Sequence, residues 1–115
     1  MAATNPLFTH PPYPVEAALK QLGAQLRDAR LRRGWTLQQA AERVGAGVRA
    51  VRDAERGKPS SGIAVSVALL WAYGLLGAFE RLGDPGLDEA GLRLARAHGR
   101  QRGRSVGTAG LDNDF

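Results

Sequence analysis

The chain has no cysteine, so disulfides and thiolate metal sites are excluded. It has only two histidines, His10 and His98, and no pair of acids placed for proton transfer. Each lone histidine reads as a solvated surface residue, so no enzymatic activity, cofactor or metal site is expected. No run of 18 apolar residues occurs, so no membrane span is expected. The first residues, MAATNPLFTHPPYP, lack the basic start and apolar centre of a signal peptide. The expected compartment is the cytoplasm. What remains is a chain of 115 residues, 43% hydrophobic, sufficient for one globular domain with a modest core.

Charge is unevenly placed. The net charge is +5, and residues 15–83 carry all of it, with eleven basic against six acidic residues. Residues 84–115 hold five of each. Fourteen of the sixteen basic residues are arginine, the side chain that pairs bidentately with phosphate and with guanine. A GC-rich genome also favours arginine codons, which bears on the arginine share more than on its placement.

The pattern along the chain is helical. Residues 1–13, with Pro6, Pro11 and Pro12, predict an extended arm. A first long helix starts near Pro14, with Leu19, Leu22, Leu26 and Ala29 at helical spacing, and ends at Gly34. Thr36-Leu37-Gln38-Gln39 fits a capping box that opens a second helix, which Gly45 stops. A third runs from about Gly47 to Glu55 and stops at Gly57. The fourth, about Ile63 to Tyr73, is almost wholly apolar and is expected to be the central core helix. A short fifth covers Leu75 to Leu82. Asp84-Pro85 predicts one more start, with an apolar stripe of Leu87, Ala90, Leu94 and Ala97 and an end at Gly99 or Gly103. Residues 100–115, rich in glycine and aspartate, are expected to be disordered.

The fold class expected is thus all-α: a five-helix bundle over 14–83, preceded by the arm and followed by a short helix and flexible tail over 84–115. Its second and third helices are too short to stand alone in water. Joined by Gly45-Ala46-Gly47, they have the form of a helix-turn-helix, whose second helix enters the DNA major groove. The competing reading of the spacing is any small helical bundle with glycine turns.

The ordered set Leu22-Gly23, Leu26-Arg27, Ala29-Arg30, Gly34-Trp35-Thr36, Ala41, Gly45, Val51 and Glu55-Arg56-Gly57 resembles the Cro/C1-type helix-turn-helix of phage repressors and the wider XRE regulators. It covers about half the chain. The resemblance implies a lambda-repressor-like bundle that binds double-stranded DNA at an inverted repeat as a homodimer. It implies a structural ion pair between Arg30 and Glu55. It also implies base contacts from Val48, Arg49, Arg52 and Asp53, with Arg49 on guanine and Val48 on a thymine methyl. Asp53 either accepts from a cytosine amine or pairs with Arg52 or Arg56. Thr36, Gln38, Gln39, Arg43 and Lys58 match positions suited to phosphate contacts. The sequence departs from the pattern at Leu37, where many members carry a DNA-contacting glutamine. It departs also at Ala40 and Ala54, where leucine is usual; these shrink the core, and Trp35 is the side chain placed to fill it.

The ends of the chain are similar to HipB-type antitoxins. The carrying residues are Tyr13-Pro14-Val15-Glu16-Ala17-Ala18-Leu19 at the start, and Leu82-Gly83-Asp84-Pro85, Asp88-Glu89-Ala90 and the basic Arg100-Gln101-Arg102-Gly103-Arg104 at the end. Such antitoxins repress their own operon and hold a HipA-like serine/threonine kinase toxin. The alternatives are a free-standing XRE-family repressor of a phage or mobile element, and a protein-binding bundle that has lost DNA binding, for which Leu37 speaks. Leu75, Leu76, Phe79 and Leu82 are expected at the dimer interface, or else to close the monomer's own core. Segment 84–115 is expected to contact the kinase, or else to add DNA affinity through its arginines.

Overall fold

The arm before the first long helix is not extended throughout. Pro6–Thr9 forms a single helical turn, α1, with Pro6 at its first position and Asn5 as its cap. The Leu7 N–H donates to Asn5 Oδ1 at 2.9 Å. Pro11 and Pro12 prevent the turn from propagating. The computed structural model describes the backbone of residues 5–105 and the side chains of residues 5–100, so the start of the arm lies outside the described residues. All regular elements among the described residues are helical.

The chain forms two compact units, Met1–Phe79 and Glu80–Phe115, dividing slightly before the boundary expected at residue 83. In the first unit α2 spans Tyr13–Arg32, α3 Leu37–Val44, α4 Val48–Glu55, α5 Ile63–Ala72 and α6 Leu76–Phe79. The predicted capping box is complete. The Gln39 N–H donates to Thr36 Oγ1 at 3.0 Å, and the Thr36 N–H donates to Gln39 Oε1 at 2.8 Å. Gly34, Gly45, Gly57 and Gly74 end successive helices in the left-handed region.

Leu26, Val51 and Leu69 are the largest wholly buried side chains, with Ala29, Ala40, Ala41, Ala54 and Tyr73 around them. The two alanines that replace the usual leucines are therefore core residues, and Trp35 packs against the same cluster. Its ring lies 5.5 Å from that of Tyr73. Leu37, too, packs against the core, which explains why an apolar residue stands there.

The fourth predicted helix, α5, is central in its contacts but not in its burial. It packs against α2, α3, α4 and α6, yet Leu69 is its one fully buried residue. Ile63 and Trp71 are 68% and 62% exposed. Residues 65–70 and Ala72 are buried or half-buried against these neighbours, and the exposed Ile63, Ala64 and Trp71 leave one apolar edge uncovered. The fifth predicted helix is also shorter than expected, one turn rather than Leu75 to Leu82.

In the second unit Asp84-Pro85 opens a 3-10 turn, Pro85–Leu87, rather than the helix itself. Asp84 Oδ1 accepts from the Gly86 N–H at 2.8 Å and closes that turn. Helix α7 then spans Glu89–Ser105, with Asp88 as its cap: Asp88 Oδ1 accepts from the Gly91 N–H at 2.9 Å. It continues through Gly99 and Gly103, where an end was expected. A glycine costs a helix only about 1 kcal/mol relative to alanine. The intervening Arg100, Gln101 and Arg102 are good helix formers, and no proline interrupts them. Residues 106–115, most of the tail for which disorder is expected, lie outside the described residues.

Candidate nucleic-acid interface

Two short helices meet at a glycine elbow in the first unit. Gly45 adopts φ 75° and ψ 30°, which ends α3 and turns the chain. The Ala46 N–H donates back to the Ala41 carbonyl at 3.0 Å. Gly47 caps α4, and no atom lies within 4 Å of where its Cβ would sit. The start of α4 is thus open on its outer side, and a neighbouring molecule can approach its backbone closely.

Burial assigns the faces of α4. Val51 and Ala54 are fully buried, and Val48 is half-buried against the core. Arg49, Arg52 and Arg56 are exposed. Their spacing of three and four residues places the three guanidinium groups along one outward stripe. Arg56 was not among the residues expected to contact DNA; its spacing from Arg49 and Arg52 is the signal that would have found it. Val48 divides its surface between core and exterior.

Asp53 does not pair with Arg52 or Arg56. Its Oδ2 lies 3.9 Å from Lys58 Nζ. Gly57, at φ +68°, reverses the chain, and the Lys58 N–H donates to the Asp53 carbonyl at 3.1 Å, so Lys58 returns over the end of α4. Half-exposed pairs of this kind contribute little, about 0–1 kcal/mol, and leave the ammonium able to meet phosphate.

The phosphate candidates of α3 are unequally free. The Thr36 hydroxyl and the Gln39 carbonyl oxygen are committed to the capping box, which leaves the Thr36 O–H and the Gln39 amide hydrogens to donate. Gln38 Nε2 donates to Glu42 Oε2 at 3.1 Å. The Arg43 guanidinium stacks on the Trp35 ring at 4.0 Å, which orients an exposed cation beside the N-terminal end of α3.

Behind this surface lies the Arg30–Glu55 pair. Arg30 Nε donates to Glu55 Oε2 at 2.6 Å and Nη2 to Oε1 at 3.0 Å. A third bond runs from Nη1 to the Trp35 carbonyl at 2.9 Å. Only 9% of the arginine side chain and 6% of the glutamate side chain are exposed. Donation to the Glu55 carboxylate raises the pKa of the Arg30 guanidinium above its ordinary value, against desolvation, which lowers it. The pair ties α2 to the end of α4 and to the loop before α3, and so sets the angle at which α4 is presented.

The Helix-turn-helix domain family matches residues 21–82. The chain belongs to this family. The match runs from α2 through α6 and covers more than half the chain, which supports the resemblance to Cro/C1-type XRE regulators and the DNA-binding character that goes with it. No curated protein and no solved structure matched the chain. Within the helix-turn-helix domain, α3 and α4 are the paired helices, and α4 occupies the place of the recognition helix. Among the described residues no helix is long and apolar enough to cross a membrane, and no three His, Asp or Glu side chains group to hold a metal ion.

Proposed function

We propose that this helix-turn-helix protein is a sequence-specific transcriptional repressor, not an enzyme, that reads an inverted repeat in its own operator from the cytoplasm. The exposed stripe of Arg49 and Arg52 on α4 and Arg56 at its C-cap, beside an unobstructed Gly47, carries the reading. Arg49 is the base-reading residue. Arg52 reads the same groove, and Arg43, Lys58, Gln38 and the donors of Thr36 and Gln39 hold phosphates. Val48 and Asp53 contribute at its edges. Arg49→Ala is expected to weaken operator binding by about 1–3 kcal/mol and relax preference at one base pair, while binding to scrambled duplex changes little. Titration of the DNA upstream of its own gene, followed by fluorescence anisotropy, measures this. Equal affinity of the unaltered protein for operator and scrambled DNA at moderate salt would remove the proposal.

Two copies are needed to read two half-sites about 34 Å apart. The apolar surface near the end of the first unit supports a homodimer. Leu75 is 46% exposed and, in the second unit, Leu82 is 74% exposed. Trp71 adds apolar surface that sequence reasoning did not foresee. Leu76 and Phe79 are half-buried, and Phe79 lines an apolar groove with Leu19, Leu22 and Leu70, so these two also serve the monomer.

The more specific role is that of a HipB-type antitoxin, which restrains a HipA-like kinase through surface outside α4. The similarity of both chain ends to such antitoxins supports it. So does the apolar flank of α7, where Leu94 is exposed and Ala90 and Ala97 share its side of the helix. Co-expression with a neighbouring kinase gene is expected to recover a complex, and deletion of residues 84–115 to weaken it while operator preference persists. If the full chain captures no kinase, a free-standing repressor remains.

A further inference from the structure

Helix α7 carries a second arginine stripe that the helix-turn-helix reading does not use. Arg93, Arg96, Arg100 and Arg104 follow one another at spacings of three, four and four residues. At about 100° per residue they fall within an arc of about 80°. Leu94 and Ala97 lie to one side of that arc, and Gly91, Ala95 and Gly99 to the other. Arg93, Arg96 and Arg100 are exposed.

The arrangement is unfavourable for the helix by itself. Like charges three and four residues apart repel. Among the described residues no carboxylate pairs with Arg93, Arg96 or Arg100, whereas exposed cations of the first unit do pair, Lys20 with Glu16 and Arg32 with Asp28. The acids nearest the stripe, Asp88 and Glu89, sit at the N-terminal end of α7, where Asp88 caps the helix and both suit its dipole. Glycines at 91, 99 and 103 weaken the helix further. A linear polyanion laid along the stripe removes the repulsion.

We infer that α7 is a second DNA-contacting element, a phosphate clamp in which Arg93, Arg96 and Arg100 follow the sugar-phosphate backbone without reading bases. Arg104 extends the same register. The stripe is about 16 Å long. Phosphates recur about every 3.4 Å of duplex axis on each strand, and with the winding of the strand neighbours lie about 7 Å apart, so the stripe meets about three of them. The inference rests on the DNA-binding reading above and adds a sequence-independent contact to it. The chain joins α7 to the helix-turn-helix domain, so DNA held by one is presented to the other at high effective concentration. The apolar flank of α7 remains available to a protein partner.

The test uses the full chain with Arg93→Gln, Arg96→Gln and Arg100→Gln together, beside the corresponding triple lysine variant. Binding to operator and to random-sequence duplex is measured over a salt series. Each phosphate contact contributes about 0.9 to the slope of log K against log salt, so the glutamine variant is expected to lose about 2–3 from the slope on both DNAs. Its ratio of operator to random affinity should stay unchanged, and the lysine variant should keep the slope. Circular dichroism checks that the glutamine variant retains its helix content. An unchanged slope in the glutamine variant overturns the clamp and leaves the α4 reading intact. No binding to either DNA by the unaltered chain overturns both. Loss of binding to acidic phospholipid vesicles, with the DNA slope unchanged, overturns the clamp in favour of a membrane surface.

Discussion

Glu55→Ala is expected to destabilise the helix-turn-helix domain by about 3–5 kcal/mol, the cost of leaving one charge of a buried pair without its partner. Arg30, only 8% exposed, would remain buried with its bidentate acceptor gone and only the Trp35 carbonyl left to receive a hydrogen bond. Its guanidinium cannot escape by deprotonating, since its pKa lies above any working pH. Domains of this kind have roughly 5–15 kcal/mol in total, so the variant is expected to be largely unfolded near physiological temperature. Urea melts followed by circular dichroism measure the loss. Replacing both partners, Arg30→Met with Glu55→Leu, is expected to restore most of it, because no unpaired charge then remains. A Glu55→Ala protein that melts within a degree or two of the unaltered chain would show that the pair contributes nothing.

Gly57→Ala is expected to be the most damaging glycine substitution with left-handed geometry, at about 2–6 kcal/mol. Backbone strain supplies about 1–3 kcal/mol of this, and overpacking a similar amount. At φ +68° a Cβ is strained in any surroundings, and here it would also lie 2.5 Å from the Leu19 carbonyl oxygen and 2.6 Å from Lys20 Cα. Both obstacles are backbone atoms of α2, which cannot swing aside as a side chain could. Gly45→Ala is the control. Its φ is +75°, but no atom lies within 4 Å of the added methyl, so only the conformational cost of about 1–2 kcal/mol applies. Equal losses at the two positions would mean that α2 moves away from α4 easily, contrary to the packing described.

Much of the site was legible in the chain because it rests on local chemistry. The Thr36 capping box, the turn at Gly45 and the stops at Gly34 and Gly57 depend on residues a few positions apart, and each forms as its sequence predicts. The place of α4 followed from the same short-range signals. The Arg30–Glu55 pair was legible in another way, through an ordered family pattern, since nothing local links residues 25 positions apart.

Other features depended on what the chain brings together. The spacing of Asp53 suggested an arginine of its own helix, but the reversal at Gly57 puts Lys58 there. The uniformly apolar composition of α5 suggested a central helix, and α5 does meet four others, but Trp71 and Ile63 stay bare. The glycines at 99 and 103 suggested an end that α7 passes through. Hydrophobic period, caps and turn residues report energies within one helical turn, so the sequence by itself determined where the short helices of the first unit lie and which two form the helix-turn-helix. Which face of α4 meets solvent, which apolar side chains stay uncovered and which charge meets which were decided only by the tertiary structure, because those energies arise between residues that the chain brings together only when it folds.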